Sequence, residues 1–266
     1  MKNSNIVLLG MFVSMTATAE DGGGLSAGFD YSSGKYGNAE STIILYVPVT
    51  GKYITDNLTL SLTVPYISIT GPGGIVRGMG RIGMTGAGGS GGMGGGMASA
   101  GAGAAKTTNS GLGDITASAD YTIFSTDTSN VNLVSGIKFG TADENKGLGT
   151  GRNDYSVQID GYRGMNETAL FATLGYKIYG SPPGVDFNNV PYGTIGASWQ
   201  LDSGKTVGGM FEAAKSPSGG VAGRRELSAY VTHMIAPGTR ISANILKGFS
   251  DASPDIGVGI LVSHIY

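Results

Sequence analysis

The residues Ile256 to Tyr266 alternate without a break. Ile256, Val258, Ile260, Val262, His264 and Tyr266 project to one side, and Gly257, Gly259, Leu261, Ser263 and Ile265 to the other. A period of two is the signature of a β-strand, and here one of its faces is apolar. The same period returns along the chain. From Gly24 onward it divides into about twelve alternating segments, read as 24–33, 39–50, 57–69, 111–124, 130–140, 153–163, 167–179, 190–201, 205–214, 224–235, 239–248 and 255–266. Leu58, Leu60, Leu62 and Val64 share a face against Thr59, Ser61 and Thr63. Ile115, Ala117, Ala119, Tyr121 and Ile123 oppose Asp114, Thr116, Ser118, Asp120 and Thr122. Tyr155, Val157 and Ile159 oppose Asp154, Ser156, Gln158 and Asp160, and Leu227, Ala229 and Val231 oppose Glu226, Ser228, Tyr230 and Thr232.

Strands of this kind need a solvent for their apolar faces. Only 14% of residues are charged, against about 25% in soluble domains. Yet no apolar run in the mature region reaches the ~18 residues of a transmembrane helix. Strands that alternate lipid-facing and lumen-facing residues reconcile the two facts. The connections agree. Those after even strands are mostly tight (Ser125–Ser129, Gly164–Asn166, Asp202-Ser203-Gly204, Ala236-Pro237-Gly238), with turn-forming residues in place. Three of those after odd strands, 70–110, 141–152 and 180–189, are long. Short periplasmic turns alternating with longer extracellular loops mark an outer-membrane barrel, and put both termini in the periplasm. Tyr121, Trp199 and Tyr266 near one set of strand ends, and Tyr66, Tyr155 and Tyr176 near the other, predict two aromatic girdles. The expected fold is all-β: a transmembrane up-and-down antiparallel barrel of about twelve strands.

The start of the chain supplies an export signal. Lys2 precedes an apolar core from Ile6 to Val13 and a small-x-small site, Ala17-Thr18-Ala19. This reads as a signal peptide over 1–19, cleaved before Glu20, with the barrel over 20–266. The chain has no Cys, hence neither disulfides nor lipoprotein attachment. A net charge of -2 argues against a nucleic-acid partner. Outer-membrane lipids and lipopolysaccharide are the expected surroundings.

The insert at about 71–105, between the third and fourth strands, is too rich in Gly to pack a core. It reads as a disordered surface loop. A plug or gate is the second reading, with Arg77 and Arg81 setting the field in the mouth. A third is copper(I) capture by Met79, Met84, Met93 and Met97, which no His or Cys joins.

Catalytic chemistry is missing. The two histidines, His233 and His264, fall near predicted periplasmic strand ends, no His-x-Ser pair occurs, and no His-Glu-x-x-His spacing occurs. Neither an enzyme nor a cofactor or metal site is expected. The charge sits instead on predicted lumen faces. Asp114, Asp120, Asp154, Asp160, Glu212 and Glu226 accompany Lys138, Lys177, Lys205 and Arg240, with Phe171, Tyr179, Tyr162, Tyr230 and Met210 also inward by parity. Such charges serve equally as a salt-bridged interior or a pore lining. The candidate pore-lining set is Asp120, Lys138, Asp154, Asp160, Phe171, Lys177, Glu212, Glu226, Tyr230 and Arg240.

Two resemblances complete the reading. The last strand, closing on Tyr266, resembles the strand by which outer-membrane barrels are recognised by their assembly machinery. Thr70-Gly-Pro-Gly-Gly74, Ser110-Gly-Leu-Gly-Asp114, and Phe139-Gly-Thr-Ala-Asp-Glu-Asn-Lys-Gly-Leu-Gly-Thr-Gly151 leading into Asp154-Tyr155-Ser156 resemble the phenol-degradation MetA-pathway or "transporter" family of bacterial outer-membrane barrels. The motifs lie within about residues 66–160. The family resemblance implies an outer-membrane barrel that aids uptake of aromatic compounds, and it implies no catalytic residues. The Gly/Met insert is a departure in length. The expected function is passive uptake of small solutes, aromatic or hydrophobic ones included. The alternative is a plugged structural or surface-display barrel.

Overall fold

A computed structural model describes residues 22–72, 106–184, 186–219 and 222–266. Most of them belong to one closed antiparallel sheet. Its strands are β1 Gly22–Gly34, β2 Thr42–Ile54, β3 Leu58–Gly71, β4 Thr107–Leu112, β5 Thr116–Ser125, β6 Ser129–Lys138, β7 Asp154–Met165, β8 Thr168–Ile178, β9 Val190–Gln200, β10 Lys205–Ala214, β11 Arg224–Ala236, β12 Thr239–Gly248 and β13 Ile256–Ile265. Successive strands pair, except that β4 and β5 both pair with β3, and β13 returns to pair with β1 from Gly24↔Ile265 to Ser33↔Ile256. Tyr266 and Gly23 exchange backbone hydrogen bonds at 3.0 Å and complete the seam. Closure leaves no free sheet edge, which a lipid environment demands.

The architecture is a barrel of twelve strand positions, because β4 and β5 share one. The continuous strand expected over 111–124 is broken, and Pro65 explains the break. β3 pairs with β5 up to Thr63 and with β4 from Tyr66. Pro65 between them has no N–H to offer. Its carbonyl still accepts Gly113 N–H (2.8 Å), but Ile115 N–H turns instead to Thr141 Oγ1 (2.9 Å). The kink frees Asp114 for the interior. The other expected strands match in position, except that β2 runs further, to Ile54.

Short and long connections segregate to opposite ends. At one end lie the turns 55–57, 126–128, 166–167, 201–204 and 237–238, together with Gly22 and Tyr266. Asn166 (φ 55) and Gly238 (φ 71) adopt the left-handed conformation that these tight turns require. The long connections 139–153 and 179–189, and the ends of β3 and β4 that flank the insert, lie at the other end.

The two faces separate as the alternation predicts. Leu62, Leu174 (76% exposed), Ile195, Leu227, Ile245 and Ile260 point outward, as do Tyr121, Trp199 and Tyr266 at one rim and Tyr66, Tyr155 and Tyr176 at the other. An apolar belt this extensive suits lipid and not water; the barrel is transmembrane. The faces hold their parity except at β-bulges, as between Thr122 and Phe124, where Ile123 and Phe124 are both exposed. The segment 1–19, expected to be a signal peptide, and Arg77 and Arg81 of the insert lie outside the described residues.

Candidate functional site in the barrel interior

The interior is built from the polar half of each strand. At the long-loop end, Lys138 on β6 is fully buried. Its Nζ lies 2.9 Å from Asp114 Oδ2 and 3.3 Å from Asp154 Oδ2, and donates to Thr150 Oγ1 at 3.4 Å. Strand register makes part of this inevitable, since Lys138 and Asp154 are direct cross-strand partners. Lys177 on β8 reaches the same Asp154 carboxylate (3.7 Å) and lies 4.2 Å from the centre of the Tyr179 ring. Further round, Glu212 on β10 and Glu226 on β11 face each other directly. Like charges opposed in a sheet repel, and Arg224 ion-pairs with both, its Nε 3.6 Å from Glu226 Oε1. Buried acids and bases thus pair in two clusters, one spanning β6–β8 with Asp114 and one on β10–β11.

The loop 139–153 folds into this mouth. Asp143 caps a single 3₁₀ turn, Glu144–Lys146, by accepting from the N–H groups of Asn145 and Lys146, and Gly147 (φ 67) ends it. Leu148 and Ala142 are thereby carried inward, onto Ile44 of β2, Ile67 of β3 and Tyr36. Asp114 Oδ1 accepts the Ala142 N–H at 2.9 Å. One carboxylate therefore holds both the loop backbone and the Lys138 ammonium.

Deeper in, Asp160 on β7 accepts from Thr173 Oγ1 (2.6 Å) and from Gln158 Nε2 (2.9 and 2.8 Å), and Tyr192 donates to Gln158 Oε1 at 2.6 Å. Asp120 on β5 sits in the field of Asp160 and of Lys52 from β2. Beside this polar belt is an apolar ledge. Phe171, Met210 and Tyr230 are buried together, with Tyr162 against them. Glycines make room for it: a Cβ at Gly196 would lie 2.3 Å from the Phe171 ring, and one at Gly208 2.4 Å from the Tyr230 ring. A small hollow between Asn130, Asp160, Tyr162, Phe171 and Thr173 adjoins the ledge.

Of the ten residues expected to face the lumen, nine are buried inside the barrel: Asp120, Lys138, Asp154, Asp160, Phe171, Lys177, Glu212, Glu226 and Tyr230. Arg240, at the short-turn end of β12, is half-buried and shares the parity of Ser242, which meets the inward Thr232 at 2.9 Å. Lys205, also expected inward, is a correction. It begins β10 on the outward side of Phe211, opposite in parity to the inward Met210 and Glu212, and pairs with Asp202 of the 201–204 turn (3.6 Å). Residues not singled out from the sequence include Arg224, Lys52 and Asp30. Arg224 shares the parity of Glu226, a signal available in the sequence. Lys52 lies beyond residue 50, where the second segment is expected to end, whereas β2 runs to Ile54. The inward fold of 139–153 had no sequence signal beyond its length. His233 and His264 lie at the short-turn end, His233 Nδ1 near the Gly204 carbonyl (3.3 Å) and His264 Nδ1 on Thr239 Oγ1 (2.9 Å). Among the described residues no three His, Asp or Glu side chains gather to hold a metal.

No protein-family model matches the sequence, and no curated protein matches it significantly. Solved structures do. The barrel is similar to the NanC porin (TM-score 0.55, 11% identity, covering 90% of this chain and 98% of that one). It is similar to the KdgM porin (TM-score 0.52, 8% identity, 91% and 98% covered). It is also similar to the translocator domain of the autotransporter NalP from Neisseria meningitidis (TM-score 0.51, 11% identity, 92% and 89% covered). At these identities the likeness is one of fold: the chain has the fold of an outer-membrane β-barrel.

Proposed function

We propose that this chain is an outer-membrane channel for passive uptake of small molecules. On this reading the long loops face outward, both termini lie in the periplasm, and residues 1–19 are removed on export. The observation that carries it is the interior of the closed barrel, where clusters of paired buried acids and bases lie beside an aromatic ledge. Ionised groups at membrane depth are costly unless they face water or a partner, and a lumen with both charge and apolar surface suits solutes of mixed or aromatic character. The path is lined by Asp120, Lys138, Asp154, Asp160, Phe171, Lys177, Glu212, Glu226, Tyr230 and Arg240, with Arg77 and Arg81 in the insert as gate residues. The two porin-named structures with this fold support the reading, as does the resemblance of 66–160 to the aromatic-uptake family.

One observation favours the alternative of a plugged barrel. The inward charges are almost wholly buried and 139–153 occupies the mouth. Single-channel conductance in a planar bilayer decides, using the intact chain and one lacking 73–105, a deletion that leaves β3 and β4 whole. Steady conductance in the intact chain supports the channel. Conductance only after deletion makes the insert a plug. Silence in both overturns the channel reading.

A further inference from the structure

Three cations stand on the outside of β10–β12. Lys215 follows β10, Arg225 is on β11 and Lys247 on β12, and all three are exposed. Strand parity sets their direction: Lys215 continues the side of Phe211, Arg225 shares that of Leu227 and Val231, and Lys247 that of Ile245, all of them exposed apolar residues. Register makes them neighbours. Ala213 lies opposite Arg225 and Leu227 opposite Lys247, while Phe249, also exposed, donates its N–H to the Arg225 carbonyl at 2.9 Å. They form a diagonal across adjacent strands at the long-loop edge of the apolar belt. The acids of these strands, Glu212 and Glu226, point inward with Arg224. Among the described residues none of the three outward cations forms an ion pair.

We infer that the outward face of β10–β12 binds the phosphate of a lipid headgroup in the leaflet at the long-loop end. A single-sign cluster at the rim complements a phosphate, which Arg can grip through two N–H groups. The wall beneath, Leu227, Val231 and Ile245, continues as the surface for acyl chains, and Phe249 sits at headgroup level. The occupant is lipid A. That identity rests on the orientation under Proposed function, which puts this leaflet on the outside.

The test is lipid binding by the full barrel refolded in phosphatidylcholine nanodiscs, titrated with lipid A and with its dephosphorylated form. Each cation near an anionic surface is worth about fivefold in affinity, so K215Q/R225Q/K247Q loses roughly a hundredfold. K205Q, exposed at the opposite end, leaves binding unchanged. The inference is overturned by equal binding of dephosphorylated lipid, by wild-type affinity in the triple variant, or by displacement of lipid A with inorganic phosphate, which would mark a soluble-anion site. The readout is binding and not flux. A barrel that binds lipid A yet conducts nothing loses the channel reading alone.

Discussion

Replacing Lys138 with Met tests whether the buried charge network holds the barrel mouth together. The ammonium is fully buried, 2.9 Å from one carboxylate oxygen and 3.3 Å from another. At an effective dielectric of about 20 these contacts are worth about 6 and 5 kcal/mol of attraction, set against the desolvation of all three ions. Truncating one partner of a buried pair typically costs about 3–5 kcal/mol, because a charge is left uncompensated. The lower end applies here. Asp154 keeps Lys177 at 3.7 Å and Asp114 keeps the Ala142 N–H. K138M should therefore destabilise by about 3 kcal/mol. K138M/D114N removes the stranded carboxylate together with the cation, and Asn can still accept the Ala142 N–H. It should return to within about 1 kcal/mol of wild type, since replacing a whole buried pair is close to neutral. Urea unfolding in lipid vesicles measures both. The single Trp, Trp199, lies on the outward girdle and reports the transfer from lipid to water. A K138M barrel as stable as wild type, or a double variant as unstable as the single one, would refute the argument.

Three further outcomes are expected. L148A should cost about 2–3 kcal/mol as a buried Leu truncation and raise conductance by loosening 139–153, whereas unchanged conductance would show that this loop does not narrow the path. L174R, on the most exposed position of the β8 lipid face, should cost about 2–4 kcal/mol in vesicle unfolding; tolerance of the Arg would contradict the assigned face. Tyr179 lies beyond β8, and burial pushes its phenol up to about 12. The unfolded chain then ionises first, near pH 10, so the stability this group contributes is full below about pH 10 and is lost as pH rises to about 12. Y179F should flatten the alkaline fall in stability across that window, and an unchanged profile would show that Tyr179 does not contribute.

Local alternation was enough to read the barrel. A period of two cannot be mistaken over ten or more residues, and low charge without a long apolar run leaves few solvents for the apolar faces. Parity also located most of the interior charge, because inward and outward positions follow from counting along a strand. Counting is only as good as the strand bounds and the reference position: Lys205 has the outward parity of Phe211 and not that of Glu212, and Lys52 lies beyond residue 50, where the second segment is expected to end although β2 runs to Ile54. Pairing is equally invisible to counting. Arg224 meets Glu212 and Glu226, and Lys138 joins Asp114 to Asp154, only because the register sets those strands side by side. The inward fold of 139–153 depends on Ile44, Ile67 and Asp114, far away in sequence. The sequence by itself determined which side of each strand meets lipid, since that is a one-dimensional property. What fills the lumen, and which charges neutralise one another there, was decided by closure of the sheet, which alone brings distant side chains within a few ångströms.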